Sequence, residues 1–196
     1  MQARSQSYPA WGQPLLGGSP YTADDVERLP DDGYRYEVYR GVLIRMPGTG
    51  LEHGFICQII GRILEAYWRA KGERYRVVQN VGFDFTFPSD APKTTMLVPD
   101  VAVMADNNKP GPGIGQTPPL IAIEVASPSD TRAEMQSKAR FYLDGGVQEV
   151  WIVWPKSRTI DVWNAPNTTT VFTDQQDITS AHLPGWSCPV RQIFEG

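Results

Sequence analysis

The spacing of apolar and polar positions along this chain predicts most of its elements. From Leu51 to Lys71, Phe55, Ile56, Ile59, Ile60, Ile63, Leu64, Tyr67 and Trp68 recur at helical intervals and Gly72 follows as a stop. That predicts the longest helix, with Arg62, Glu65, Arg69 and Lys71 on its polar face. Upstream, Thr22 caps a short helix that carries acids in its first turn and ends before Pro30 and Gly33. Tyr34 to Tyr39 and Val42 to Met46 flank Arg40-Gly41, a strand-turn-strand pattern with Glu37 in its first arm. Strands are expected at about 75–79, 82–87 and 98–104, and a Gly/Pro-rich loop over 106–119 leads into the apolar run that follows. Asp130 starts a second helix that runs to about Asp144 and is stopped by Gly145-Gly146. Val147 to Trp154 is a strongly apolar strand, and Ser157 to Trp163 with Thr168 to Phe172 form a closing antiparallel pair. Residues 1–20, rich in Gln, Ser, Gly and Pro, read as a flexible arm docked loosely if at all, ahead of a single domain over 21–196.

Two strands break their own apolar pattern with a carboxylate. In the run from Leu120 to Ala126, Leu120, Ala122, Glu124 and Ala126 share one face while Ile121, Ile123 and Val125 share the other. Around Asp100, Asp100 and Ala102 point one way and Val101 and Val103 the other. A charge in a buried strand is costly unless it is paired or bound to a metal. Carboxylate oxygens are ligands of Mg²⁺ or Mn²⁺, and such an ion orients water, lowers its pKa and neutralises charge on a phosphoryl group. Lys138, on the helix after the second acid, can bury its stem and extend its ammonium back toward both acids, with Phe141 and Tyr142 holding that face inward. On this reading Lys138→Ala keeps near-normal stability and metal binding and loses the charge stabilisation that the lysine supplies.

Structural readings stand beside these. Glu124 can be one half of an ion pair with Lys138 or an arginine, Asp100 a strand start or an Asx turn, and Glu37 a surface hairpin residue. His53 can cap or pack the long helix, and Lys138 can lie on a solvated face.

Composition narrows the class. The chain has 196 residues, 41% of them hydrophobic and 11% aromatic, which suits one globular domain and excludes wholesale disorder. A formal net charge of -4 offers no global attraction for nucleic acid, though a local basic groove stays open. Cys57 and Cys188 are far apart, without C-x-x-C or Cys/His metal spacing, so free thiols in a reducing cytoplasm are expected. No apolar stretch is long enough to span a membrane, and the polar N-terminus has no signal-peptide core. The absence of G-x-S-x-G argues against a serine hydrolase, and His53 and His182, without short-range ligand spacing, argue against zinc catalysis.

Several ordered motifs then carry a resemblance. Leu29-Pro-Asp-Asp-Gly33-Tyr-Arg-Tyr-Glu37-Val-Tyr-Arg-Gly41, His53, Pro99-Asp100-Val-Ala, Glu124-Val-Ala-Ser-Pro-Ser-Asp130, Lys138, Tyr142-Leu-Asp-Gly-Gly-Val147 and the closing Leu183-Pro-Gly-Trp resemble the Uma family of restriction-endonuclease-like proteins. That family is a branch of the PD-(D/E)XK nuclease superfamily, and the resemblance covers about residues 21–196. It implies an α/β fold, a restriction-endonuclease-like mixed β-sheet flanked by helices with an N-terminal β-hairpin extension. It implies Asp100 and Glu124 as ligands of Mg²⁺ (or Mn²⁺), Glu37 as a third acid, and His53 and Ser127 as accessory positions. The superfamily's lysine stands two residues after the second acid, where this chain has Ala126, so Lys138 is the migrated candidate. Trp154 stands where similar sequences usually have Asp and reads as tolerated variation at a strand end. The implied activity is metal-dependent phosphodiester hydrolysis, with DNA as the first substrate class, no membrane partner and a homodimer as a candidate assembly. The alternative is a degenerate member that keeps the fold and binds nucleic acid or protein.

Overall fold

The structure, a computed structural model, describes residues 13–15, 20–73, 76–85, 94–105, 111–166 and 168–195. Its centre is a six-stranded mixed sheet in the order β11 (Thr168–Thr173), β10 (Thr159–Asn164), β9 (Glu149–Trp154), β8 (Ile121–Val125), β7 (Val101–Val103) and β4 (Val77–Gln79). Only the β8/β9 pair is parallel. Parallel neighbours need a crossover, and helix α3 (Arg132–Asp144) supplies it between β8 and β9.

The side-chain alternation read from the sequence decides what covers each face. Val101, Val103, Ile121, Ile123 and Val125 pack under Ile56, Ile60, Leu64 and Trp68 of helix α2 (Leu51–Ala70). Ala102, Ala122 and Ala126 pack instead with Met135, Ala139 and Tyr142 of α3. Small alanines on either side of Glu124 let α3 approach this face closely. Leu120 departs from the expected alternation: it precedes β8 and packs with the α2 side. The strand geometry that would fix its direction begins only at Ile121.

A second, five-stranded sheet in the order β1 (Gln13–Leu15), β3 (Val42–Met46), β2 (Arg35–Tyr39), β6 (Met96–Leu97) and β5 (Phe83–Asp84) carries the expected hairpin. Arg40 and Gly41 both have positive φ, 49° and 78°, as a type I′ hairpin turn requires. Helix α1 (Ala23–Glu27) packs Ala23 into the small core of Val38, Leu43 and Met96. Thr22 caps it as expected, in a reciprocal capping box with Asp25.

Some boundaries differ from expectation. The cap of α3 is Thr131, in a capping box with Glu134, and Asp130 instead accepts the Ser127 N–H at 2.7 Å to close the preceding turn. The two strands expected over 75–79 and 82–87 belong to different sheets. Part of each of those ranges, residues 106–110 of the expected loop, and most of the expected 1–20 arm lie outside the described residues. Within the arm, Gln13–Leu15 pair with β3. The sequence reading assigned no element to the segment after 173, where β12 (Asp177–Thr179), β13 (Ser187–Pro189) and α4 (Val190–Glu195) close the α2 side. No helix among the described residues is long and apolar enough to cross a membrane.

Candidate active site

Strand β8, helix α3, strand β2, helix α2 and the segment before β7 all bring side chains to one place on the large sheet. Asp100 stands just before β7, and the β7/β8 register pairs Val101 with Ile123, which brings Asp100 alongside Glu124. Asp100 Oδ2 accepts the Val125 N–H at 2.9 Å, so it is tied directly to the strand bearing Glu124. Both carboxylates line one cavity of about 40 Å³ with Arg35, His53, Ser127, Asp130 and Lys138, enough room for an ion with a few waters.

Lys138 comes from α3. Its Nζ lies 2.9 Å from Glu124 Oε1 and 3.1 Å from Glu37 Oε1, with only 2% of the side chain exposed. Glu37 reaches the site from β2 of the smaller sheet; it is fully buried and also accepts the Val98 N–H at 3.0 Å. The expected helix lysine therefore does reach the second acid, together with the third acid expected on the hairpin. Its burial argues against the expected near-normal stability of Lys138→Ala, since removing one partner leaves two buried carboxylates without their cation.

The sequence reading passed over several neighbours, each at a spacing that could have shown it. Arg35 is two residues from Glu37 on β2, hence on the same strand face, and its Nη1 donates to Asp100 Oδ1 at 3.0 Å and to Asn80 Oδ1 at 2.6 Å. Tyr142 is one helical turn past Lys138 and, beyond the packing expected of it, donates its hydroxyl to Glu124 Oε1 at 2.6 Å. Cys57 is one turn past His53 on α2, and the two do have a Cys/His spacing, i and i+4, contrary to expectation. Cys57 Sγ lies 3.5 Å from His53 Nδ1, and His53 Nε2 lies 3.1 Å from Asp100 Oδ2. Ser127 lines the cavity through the turn that Asp130 closes.

Burial and charge set the protonation of the group. Burial pushes the Asp100 carboxyl up, but the hydrogen bonds from His53 and Val125 and the Arg35 charge outweigh it and hold it below the ordinary carboxylate range. Burial also pushes Glu124 up; Lys138 opposes this without overcoming it, and the Asp100 and Glu37 charges add to the rise. For Lys138 burial acts downward, yet Glu124 and Glu37 reverse it and raise the pKa. Because two carboxylates face one ammonium, Lys138 is the member that stays charged. Burial pushes the Cys57 thiol up to about 12.

Trp154 ends β9 away from this cavity. Its indole N–H donates to Asp161 Oδ2 at 3.0 Å, and the Arg132 guanidinium stacks 4.5 Å from its ring centre. A tryptophan here thus has packing and polar partners of its own.

The family model described as "Putative restriction endonuclease", Uma2, matches residues 23–191. The chain belongs to the Uma2 family. A solved structure from Anabaena variabilis, described as a putative nuclease of DUF820, is similar with a TM-score of 0.71 and 19% identity, covering 89% of this chain and 98% of that one. At that identity the likeness carries the fold, and it bears out the mixed sheet flanked by helices. A search of curated proteins gives no match. The Uma2 assignment supports a nuclease class for this chain.

Proposed function

We propose that this Uma2 chain hydrolyses phosphodiester bonds in DNA with Mg²⁺ or Mn²⁺ held by Asp100 and Glu124. The observation that carries the proposal is the convergence of Glu37, Asp100, Glu124 and Lys138 from two sheets and a helix. The donor set suits such an ion. Asp100, Glu124 and Asp130 line the cavity against the cations Arg35 and Lys138, so negative charge is in excess, and hard carboxylate oxygens are what Mg²⁺ prefers. The contacts of Glu124 with Lys138 and Tyr142 both use Oε1, so Oε2 remains to ligate. When bound, the ion supplies charge neutralisation and a more acidic water.

The chain's own residues do the rest. Lys138, held charged by Glu37 and Glu124, places a fixed cation where negative charge develops on the scissile phosphate. Glu37 keeps that ammonium in position, Tyr142 fixes the Glu124 carboxylate, and Arg35 fixes Asp100. A second reading, a fold that binds nucleic acid or protein without cutting, is favoured by one observation: Asp100 and Glu124 each already have a cation and a hydrogen-bond donor. Incubating the protein with plasmid and with single-stranded DNA across Mg²⁺ and Mn²⁺ concentrations separates the two. Metal-dependent cutting supports the first reading, and binding without cutting supports the second.

A further inference from the structure

Beside the hard carboxylate pair lies a different donor set. One ring nitrogen of His53, Cys57 Sγ and an Asp100 carboxylate oxygen all lie within 4.8 Å of one another. We propose that His53, Cys57 and Asp100 form a second metal position, selective for a borderline ion such as Zn²⁺ or Co²⁺ over Mg²⁺.

Helical geometry brings the first two donors together, because residues four apart on α2 project from one face, and α2 packs against the large sheet, where Asp100 stands just before β7. The separations suit one ion. His53 Nε2 and Asp100 Oδ2 stand 3.1 Å apart, close to the spacing of two ligands each about 2.0–2.2 Å from a shared Zn²⁺. Cys57 Sγ now stands 3.5 Å from the other ring nitrogen, Nδ1, so it completes the trio only after its side chain turns from Nδ1 toward the ion, to a Zn–S bond of about 2.3 Å. The chemistry then selects the ion: thiolate and imidazole suit Zn²⁺ and Co²⁺, whereas Mg²⁺ takes oxygen ligands and keeps its waters. Three protein ligands leave the fourth position of a tetrahedral ion open. His53 and Asp100 line the cavity, so the ion enters, and its fourth ligand comes, from that side. Binding releases the Cys57 thiol proton to solvent.

This position shares Asp100 with the proposed Mg²⁺ site but is tested without reference to cleavage, so either reading can fail alone. Metal-stripped, reduced full-length protein is titrated with Co²⁺ in the absence of oxygen. The expected result is a thiolate-to-cobalt charge-transfer band in the near ultraviolet that saturates at one ion per chain and persists in millimolar Mg²⁺. Cys188→Ser retains the band and Cys57→Ser loses it. His53→Gln, which keeps the thiol, weakens Co²⁺ binding by roughly tenfold or more, at least the effect of disturbing a ligand's supporting contacts. No band in the wild type, an unchanged band in Cys57→Ser, or undiminished affinity in His53→Gln overturns the proposal.

Discussion

The Lys138 ammonium lies 2.9 Å from Glu124 Oε1, and both side chains are almost wholly excluded from solvent. Glu37 lies on the same ammonium at 3.1 Å, so one cation joins α3, β8 and the smaller sheet. Two residues beyond Glu124, on the same strand face, stands the buried and uncharged Ala126, and the cation beside Glu124 comes from α3.

Truncating this lysine should therefore be felt in the fold first. Breaking a buried ion pair by removing one partner costs about 3–5 kcal/mol, so Lys138→Ala should show a clearly lower melting temperature and denaturation midpoint at neutral pH. Any folded fraction should also have lost roughly 10²-fold or more of its cleavage rate. A variant as stable as the wild type would mean that the ammonium is solvated in solution.

Tyr142→Phe isolates the hydroxyl that reaches Glu124 at 2.6 Å. Hydrogen bonds to charged groups contribute about 1.5–3 kcal/mol, and chemical denaturation of the variant should show a loss of that order. The ring is buried among Phe85, Met135 and Ala139 and is kept in the variant, so a loss of stability reports the hydroxyl. No measurable loss would remove Tyr142 as a support for Glu124.

What the sequence made legible was the periodicity and its interruptions. The split of Val101, Val103, Ile121, Ile123 and Val125 from Ala102, Ala122 and Ala126 follows from alternation alone, because a strand has no other way to place successive side chains. The acids at 100 and 124 stood out because they broke that pattern. Arg35 and Cys57 broke no pattern; their spacing puts Arg35 on the strand face of Glu37 and Cys57 on the helix face of His53, but their nearness to Asp100 arises only where separate elements meet, Arg35 across two sheets and Cys57 between α2 and β7. The α3 cap slipped by one residue because Asp130 and Thr131 are both good caps, and Glu134 at the third position after Thr131 completes the capping box. Leu120 shows the limit of alternation, which holds only inside the strand.

Acid titration should carry the signature of Asp100. A carboxylate held below its unfolded value contributes stability that is present above that value, 3.8, and is lost as pH falls through it toward the folded value. Stability measured by denaturant midpoint should thus decline as pH falls below about 4, and Asp100→Asn should show a shallower decline over the same window. Identical slopes would place the responsible carboxylates elsewhere.

Divalent ions should stabilise the native state. An ion that binds the folded cluster alone adds about 2.7 kcal/mol at a hundredfold excess over Kd, so Mn²⁺ should raise the wild-type melting temperature and fail to raise that of Asp100→Asn. An equal rise in both proteins would point to binding outside this site.

The most direct measurement is the rate of plasmid cleavage by the wild type and by Glu124→Gln, side by side, with Mg²⁺, with Mn²⁺ and with chelator. The account predicts metal-dependent nicking or linearisation by the wild type and a fall of about 10²-fold or more in Glu124→Gln, with the variant confirmed to be folded. Cleavage that survives chelation, or that proceeds equally in Glu124→Gln, would contradict it.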